Sequence, residues 1–370
     1  MLAALGCLAV ALSGCTAHQA TGTRTDAPAP ATAFVLTSTG EDTETLCAVA
    51  LPGGRLLWSA DIPSQWVPSA SLVLAPRLGR AYVLASPQGR SSAAGPPPLT
   101  LIPVSLSTGA VGRPIGVGAE AWSATLAPDG TTAYVINEGT GIVDLPGPVG
   151  DSITPVDLRT GTTGRAVSVG NGPAGIAFAG AGTAWVSLTP AGQVRPVDLA
   201  DTRAGPGIAI PPPGAGQGLA LAPGPLAVSA NGGLLAVGNL QPDLVSPAPV
   251  VNVLDLASHR WRRPIVLPGY SNAVYQVGFS PDSRHVYVSA HTRGGITDTL
   301  YIASVATGTV TQARLTGEFV AFASTPDGST LWVAVETNNE RTALLPVNAT
   351  TGVPGRAVAY LPGTPLSMGL

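Results

Sequence analysis

The sequence predicts an all-β ring: seven repeats of four short antiparallel strands, closed by strands from the two ends of the chain. Three observations carry that prediction. Hydrophobic residues make up 45% of the 370, Gly (46) and Pro (36) are abundant, and only 11% are charged. Many short apolar strands between Gly/Pro turns fit these figures together. A four-part unit recurs every ~40 to 55 residues, the spacing of propeller blades. Finally, turns of two kinds differ in number by one, so the chain ends must supply a missing strand.

The clearest unit begins Trp122-Ser123-Ala124-Thr125-Leu126-Ala127 and turns at Pro128-Asp129-Gly130. It continues Ala133-Tyr134-Val135-Ile136-Asn137, then through a variable loop to Thr154-Pro155-Val156-Asp157-Leu158. After Thr160-Gly161 it ends on Arg165-Ala166-Val167-Ser168-Val169-Gly170. These are strands a, b, c and d, and Asp-Gly and Thr-Gly supply the positive φ that tight hairpins need. The a–b turn recurs near residues 78, 129, 181, 232, 282 and 327, and the c–d turn near 53, 109, 161, 201, 258, 308 and 352. The chain opens on a b-like strand, Ala33-Phe34-Val35-Leu36-Thr37, and closes on an a-like one, Pro365 to Leu370. Joined, they complete the seventh blade and leave only short sheet edges.

The units resemble the YVTN-type β-propeller repeat, with Tyr134-Val135-Ile136-Asn137 the nearest match to its signature. The resemblance spans 33–370 and implies a seven-bladed β-propeller of four-stranded antiparallel blades. It implies no single function, because the family serves many tasks.

Met1 to Gly14 is an apolar run of signal-peptide length, too short to span a bilayer. Leu12-Ser13-Gly14-Cys15 resembles the bacterial lipobox, although no Arg or Lys precedes the run. The expectation is a lipoprotein signal peptide over 1–14, lipidation of Cys15, and a tether over 15–32 rich in Thr, Ala and Pro. The domain would then sit outside the cytoplasm, anchored to the cell membrane. Cys47 would be the one thiol of the folded part, a small buried hydrophobe.

In this resemblance strand a lines the central channel, and the d–a and b–c loops share the face around its mouth. Aromatics and acids on the d–a side are Trp66, Glu120, Trp122, Tyr270 and Glu318, the candidate ligand-binding residues. The b–c side adds Glu138, Asp144, Asp151, Asp243, Asp298 and Glu336, whose spacing matches no calcium loop. On the opposite face, His259 to Arg263 form a basic turn.

The net charge of −3 argues against nucleic acid as a partner, and the lack of any lysine removes Schiff-base chemistry. No His spacing suits a metal, and no Cys-x-x-Cys-His attaches a haem. Propeller lactonases often carry Gly-x-Gly-Pro-Arg-His before a strand. This chain has Gly170-Asn171-Gly172-Pro173-Ala174-Gly175, without the Arg and His. The expectation is therefore a monomeric, lipid-anchored binding module for a peptide, glycan or protein, with no catalytic set, cofactor or metal. The alternative is a divergent propeller hydrolase, lactonase- or lyase-like.

Overall fold

Strand b of blade 1, Thr32–Gly40, is paired on one side with strand c, Thr43–Ala50, and on the other with the last strand of the chain, Thr364–Gly369. Arg55–Pro63 completes the blade as strand d. The computed structural model thus closes the ring as the repeat count requires. It describes residues 31–40, 43–63, 71–85, 99–118, 121–139, 149–212, 222–240, 250–268, 271–292, 298–315, 317–337 and 341–370.

The other six blades repeat the order a-b-c-d. Blade 2 is Leu72–Ala75, Arg80–Ala85, Leu99–Ser105 and Ile115–Gly118. Blade 3 is Ala121–Leu126, Thr132–Gly139, Val149–Asp157 and an outer strand interrupted into Thr162–Thr163 and Val167–Ser168. Blade 4 is Pro173–Phe178, Thr183–Leu188, Gln193–Asp198 and the pair Arg203–Ala204 and Ile208–Ala209. Blade 5 is Ala222–Val228, Leu234–Leu240, Val250–Asp255 and Arg260–Trp261 with Ile265–Val266. Blade 6 is Ser271–Phe279, His285–Thr292, Asp298–Ser304 and Val310–Ala313. Blade 7 is Glu318–Ser324, Thr330–Thr337, Arg341–Asn348 and Ala359–Pro362. The one helical turn among the described residues is the 3-10 turn Pro76–Leu78, and none of their helices is long and apolar enough to cross a membrane.

Strand alternation builds the core as a series of seams between blades. In blade 3, Ala133 and Val135 pack with Tyr82 and Leu84 of blade 2, while Tyr134 and Ile136 pack with Ile176 and Val186 of blade 4. Both faces of this strand b are therefore apolar over Ala133–Ile136, which explains why it reads as a continuous hydrophobic run. Polar hooks pin neighbouring blades: the Tyr82 hydroxyl donates to Leu158 O at 2.8 Å, and the Gln276 amide both donates to Phe322 O (2.9 Å) and accepts from Phe322 N–H (3.1 Å).

The c–d turns share one geometry. Asp157 accepts from the N–H of Arg159 and Thr160, and Gly161 four residues on takes φ 72°. Asn348 and Gly352 repeat the arrangement in blade 7. In blades 4 and 5 Thr202 and His259 occupy the glycine's place, with φ of 50° and 55°. These turns and the a–b turns lie on one face. The strand order puts the d–a and b–c connections on the other, which we term the loop face.

Candidate active site

Two acids at the loop-face ends of their strands are buried, Glu44 in strand c of blade 1 and Glu138 at the end of strand b of blade 3. Glu138 is pushed toward neutrality. Period-2 alternation puts it on the same side as Tyr134 and Ile136, in the seam between blades 3 and 4. Its side chain is 7% exposed. Oε2 has no hydrogen-bond partner among the described residues, and burial pushes the pKa up to about 7. At neutral pH this carboxyl is divided between acid and carboxylate, as a proton-transferring group requires.

The backbone around Glu138 is drawn in tightly. Strand c carries a bulge between Val149 and Ser152, and Gly150 lies within it. A Cβ on Gly150 would stand 2.1 Å from Asn137 O and 2.8 Å from Glu138 C, so only glycine fits. Gly150 O in turn accepts from Gly172 N–H at 2.9 Å. The d–a turn Gly170–Gly172 is thereby fastened beside Glu138, with Gly170 at φ 106° and Gly172 at φ 64°. On the other side of the strand, the Asn137 amide donates to Ser152 Oγ (3.1 Å) and Thr154 Oγ1 (2.9 Å), fixing the rung that carries Glu138.

A cation lies on the far side of the same turn. Arg195, in strand c of blade 4, donates from Nη1 to Val169 O at 2.9 Å. A Cβ on Gly170 would be 3.3 Å from that Nη1. The Arg195 Nε is buried and has no partner among the described residues. Glu138 and Arg195 thus reach one seam from adjacent blades, each with hydrogen-bonding capacity unspent. Asp151 holds the outer strand: its Oδ2 accepts from Ser168 Oγ at 2.9 Å, and its carbonyl accepts from Val169 N–H.

Bulges also re-aim residues of strand a. Trp122 stands in the bulge between Ala121 and Ser123, and Tyr275 in that between Val274 and Gln276. The two bulges fall opposite equivalent rungs of strand b, and Trp122 and Tyr275 are 37% and 52% exposed. Their blades are three steps apart in a ring of seven, so the two rings come from nearly opposite sides of the channel mouth.

Of the sequence-derived candidates, Trp122 is placed at this mouth. Glu318 pairs through its backbone with Glu336, and its side chain lies outside the described residues. Trp66, Glu120, Tyr270 and the lipidation candidate Cys15 also lie outside them. Tyr275 was missed, because its bulge carries no sequence signature. Glu138 was read only as one of several loop acids. The signal that finds it is periodicity: it follows Tyr134 and Ile136 at steps of two, so an acid there enters a seam. Among the described residues, no three His, Cys, Asp or Glu side chains gather as a metal site would need.

The fold defines a class, the seven-bladed β-propeller. No family model matches the chain, and no curated protein sequence matches it. Solved structures do resemble it. A chain of hydrazine synthase from Kuenenia stuttgartiensis superposes with a TM-score of 0.63 at 18% identity, over 83% of this chain and 91% of that one. A candidate 6-phosphogluconolactonase from Bacteroides uniformis gives 0.62 at 14% identity, over 91% and 98%. The periplasmic gluconolactonase of Pseudomonas aeruginosa gives 0.62 at 16%, over 91% and 98%. At these identities the likeness establishes the shared fold.

These structures correct one expectation, that the protein is no enzyme. That exclusion rested on the Ala and Gly that follow Gly172-Pro173 in place of Arg and His. The propellers similar to it over nine-tenths of its length include ones named as lactonases. A missing motif on such a scaffold is no ground for excluding catalysis, since chemistry resides in sites that vary on a constant fold.

Proposed function

We propose that this propeller is a divergent lactone hydrolase in which Glu138 handles the proton. The observation that carries the reading is the buried Glu138 carboxyl, poised near pH 7 by its loss of solvent on the loop face. The two solved propellers named as lactonases lend the scaffold and the reaction class. In the reaction, the Glu138 carboxylate takes a proton from water as the water oxygen adds to the lactone carbonyl carbon. The tetrahedral oxyanion collapses, the ring C–O bond breaks, and the Glu138 acid returns its proton to the departing ring oxygen. One water is consumed and one hydroxy acid is formed. A group titrating near 7 serves both as base and as acid.

Arg195 acts as a positioning residue, holding the Gly170–Gly172 turn through Val169 O. Trp122 and Tyr275 offer ring faces to the C–H surface of a cyclic substrate at the channel mouth. The lipobox-like Leu12-Ser13-Gly14-Cys15 supports a location outside the cytoplasm, with Cys15 as the lipid anchor. The test is ring opening of a panel of γ- and δ-lactones by the purified chain, followed by acid release. Turnover that falls about 10²-fold or more in Glu138→Gln supports the assignment. Turnover indifferent to that change overturns it.

A further inference from the structure

We infer that the turn face of blades 7, 1 and 2 is a docking surface for an anionic phospholipid bilayer. Arg55 of blade 1, Arg80 and Arg113 of blade 2 and Arg356 of blade 7 are all exposed on or beside this arc of turns. The described turn-face residues of blades 1 and 2 include no Asp or Glu, and blade 7 adds one exposed acid, Asp327 of its a–b turn. Three ion pairs are present among the described residues: Arg159–Asp157, Arg262–Asp255 and Arg284–Asp282. All three lie in blades 3, 5 and 6, so the four arginines of the arc are outside them. The buried acids Glu44 and Glu138, in contrast, are at the loop-face ends of their strands. The turn side of this arc is thus net basic, four exposed arginines against Asp327.

Exposed aliphatic side chains are interleaved with those arginines. Val353 (63% exposed), Leu56 (48%), Val111 (45%) and Leu57 (40%) are among the most exposed large hydrophobic residues described. Contacts weld them into one surface. A Cβ on Gly54 would meet Val358 O at 1.9 Å, so the blade 1 turn touches the outer edge of blade 7. Trp58 donates from Nε1 to Leu106 O at 3.1 Å and lies 2.8 Å from a Cβ built on Gly109, which joins blade 1 to the turn of blade 2. Arginines alternating with exposed aliphatics suit an anionic membrane interface, where headgroup charge and shallow apolar insertion add together.

The path of the chain points to the same face. Strand b of blade 1 starts at the turn face, and Ala31, just ahead of it, is exposed and accepts from Leu51 N–H of the blade 1 c–d turn. The thirty residues that precede Ala31 therefore join the domain inside this arc. An N-terminal lipid anchor would hold this surface toward the bilayer and leave the channel mouth facing outward.

The test uses the full chain with Cys15→Ser, which removes any attached lipid, sedimented with vesicles of phosphatidylglycerol and phosphatidylcholine or of phosphatidylcholine alone. Binding is expected to the anionic vesicles, to weaken at least tenfold in about 0.5 M salt, and to weaken at least tenfold in Arg55→Glu/Arg113→Glu/Arg356→Glu. The apolar Met1–Gly14 run is common to every variant and cancels. If the triple reversal melts early, the Gln versions replace it. Equal binding to both vesicle types, or binding unchanged by the arginine substitutions, overturns the inference.

Discussion

Val35 and Met368, from opposite ends of the chain, are direct antiparallel partners in blade 1. Val35 is at the same time the partner of Cys47 on strand c, and all three side chains are buried in the seam between blades 7 and 1. The ring is held shut by this pairing, and the Cys47 thiol reports on it, since burial pushes its pKa up to about 11.

Deletion of residues 364–370 is expected to open blade 1. In a Cys7→Ser/Cys15→Ser background, Cys47 of the intact domain should resist a thiol-specific disulfide reagent and that of the truncated domain should react within minutes. The melting temperature should fall by about 10 °C or more as Val35, Cys47 and Leu361 lose cover.

Glu138→Gln should raise stability while lowering activity. The folded pKa, about 7, exceeds the ordinary value of 4.5, so the folded state binds the proton more tightly than the unfolded state. Stability from this group is full below about pH 4.5 and is lost as pH rises through 7. The amide never ionises, so the variant should gain up to about 3 kcal/mol relative to wild type at pH 8 and little at pH 4. Urea denaturation at the two pH values measures the difference. A site that stores a buried charge for chemistry has this signature.

Gly150→Ala tests whether the bulge positions Glu138. Its Cβ would collide with Asn137 O, and the rung cannot yield without moving the strand end. The expected loss is about 2–4 kcal/mol in chemical denaturation, with activity reduced in the surviving folded fraction. Gly79→Ala is the control for glycine loss in a turn, because a Cβ there meets nothing within 4 Å, although its φ of 63° carries its own strain.

Most of the fold was legible because its signals are local and repeated. Asp-Gly and Thr-Gly turns, apolar strand runs such as Ala133 to Ile136, and the unequal turn counts are all present in the sequence. The site was less legible, because it depends on two blades meeting. Nothing near Arg195 in sequence announces that its guanidinium reaches Val169 of the previous blade. The bulges that aim Trp122 and Tyr275 leave no residue signature either. Gly170 to Gly175 carries no acid or base of its own, and Glu138 comes to that turn from another strand.

Thr202→Gly should stabilise the domain by about 0.5–1 kcal/mol. A β-branched residue at φ 50° is strained, and the equivalent turns use Gly161, Gly308 and Gly352 near 70°. Thermal melts of the variant and wild type provide the comparison. No change or a loss would mean that the turn relaxes around threonine.

The pH dependence of kcat/KM for lactone opening, compared between wild type and Glu138→Gln, tests the central claim most directly. Wild-type activity should rise with pH along a single ionisation near 7, and the variant should lose both that ionisation and at least about 10²-fold of the rate. An unaltered profile in the variant, or wild-type protein inert toward every lactone tried, would contradict the account.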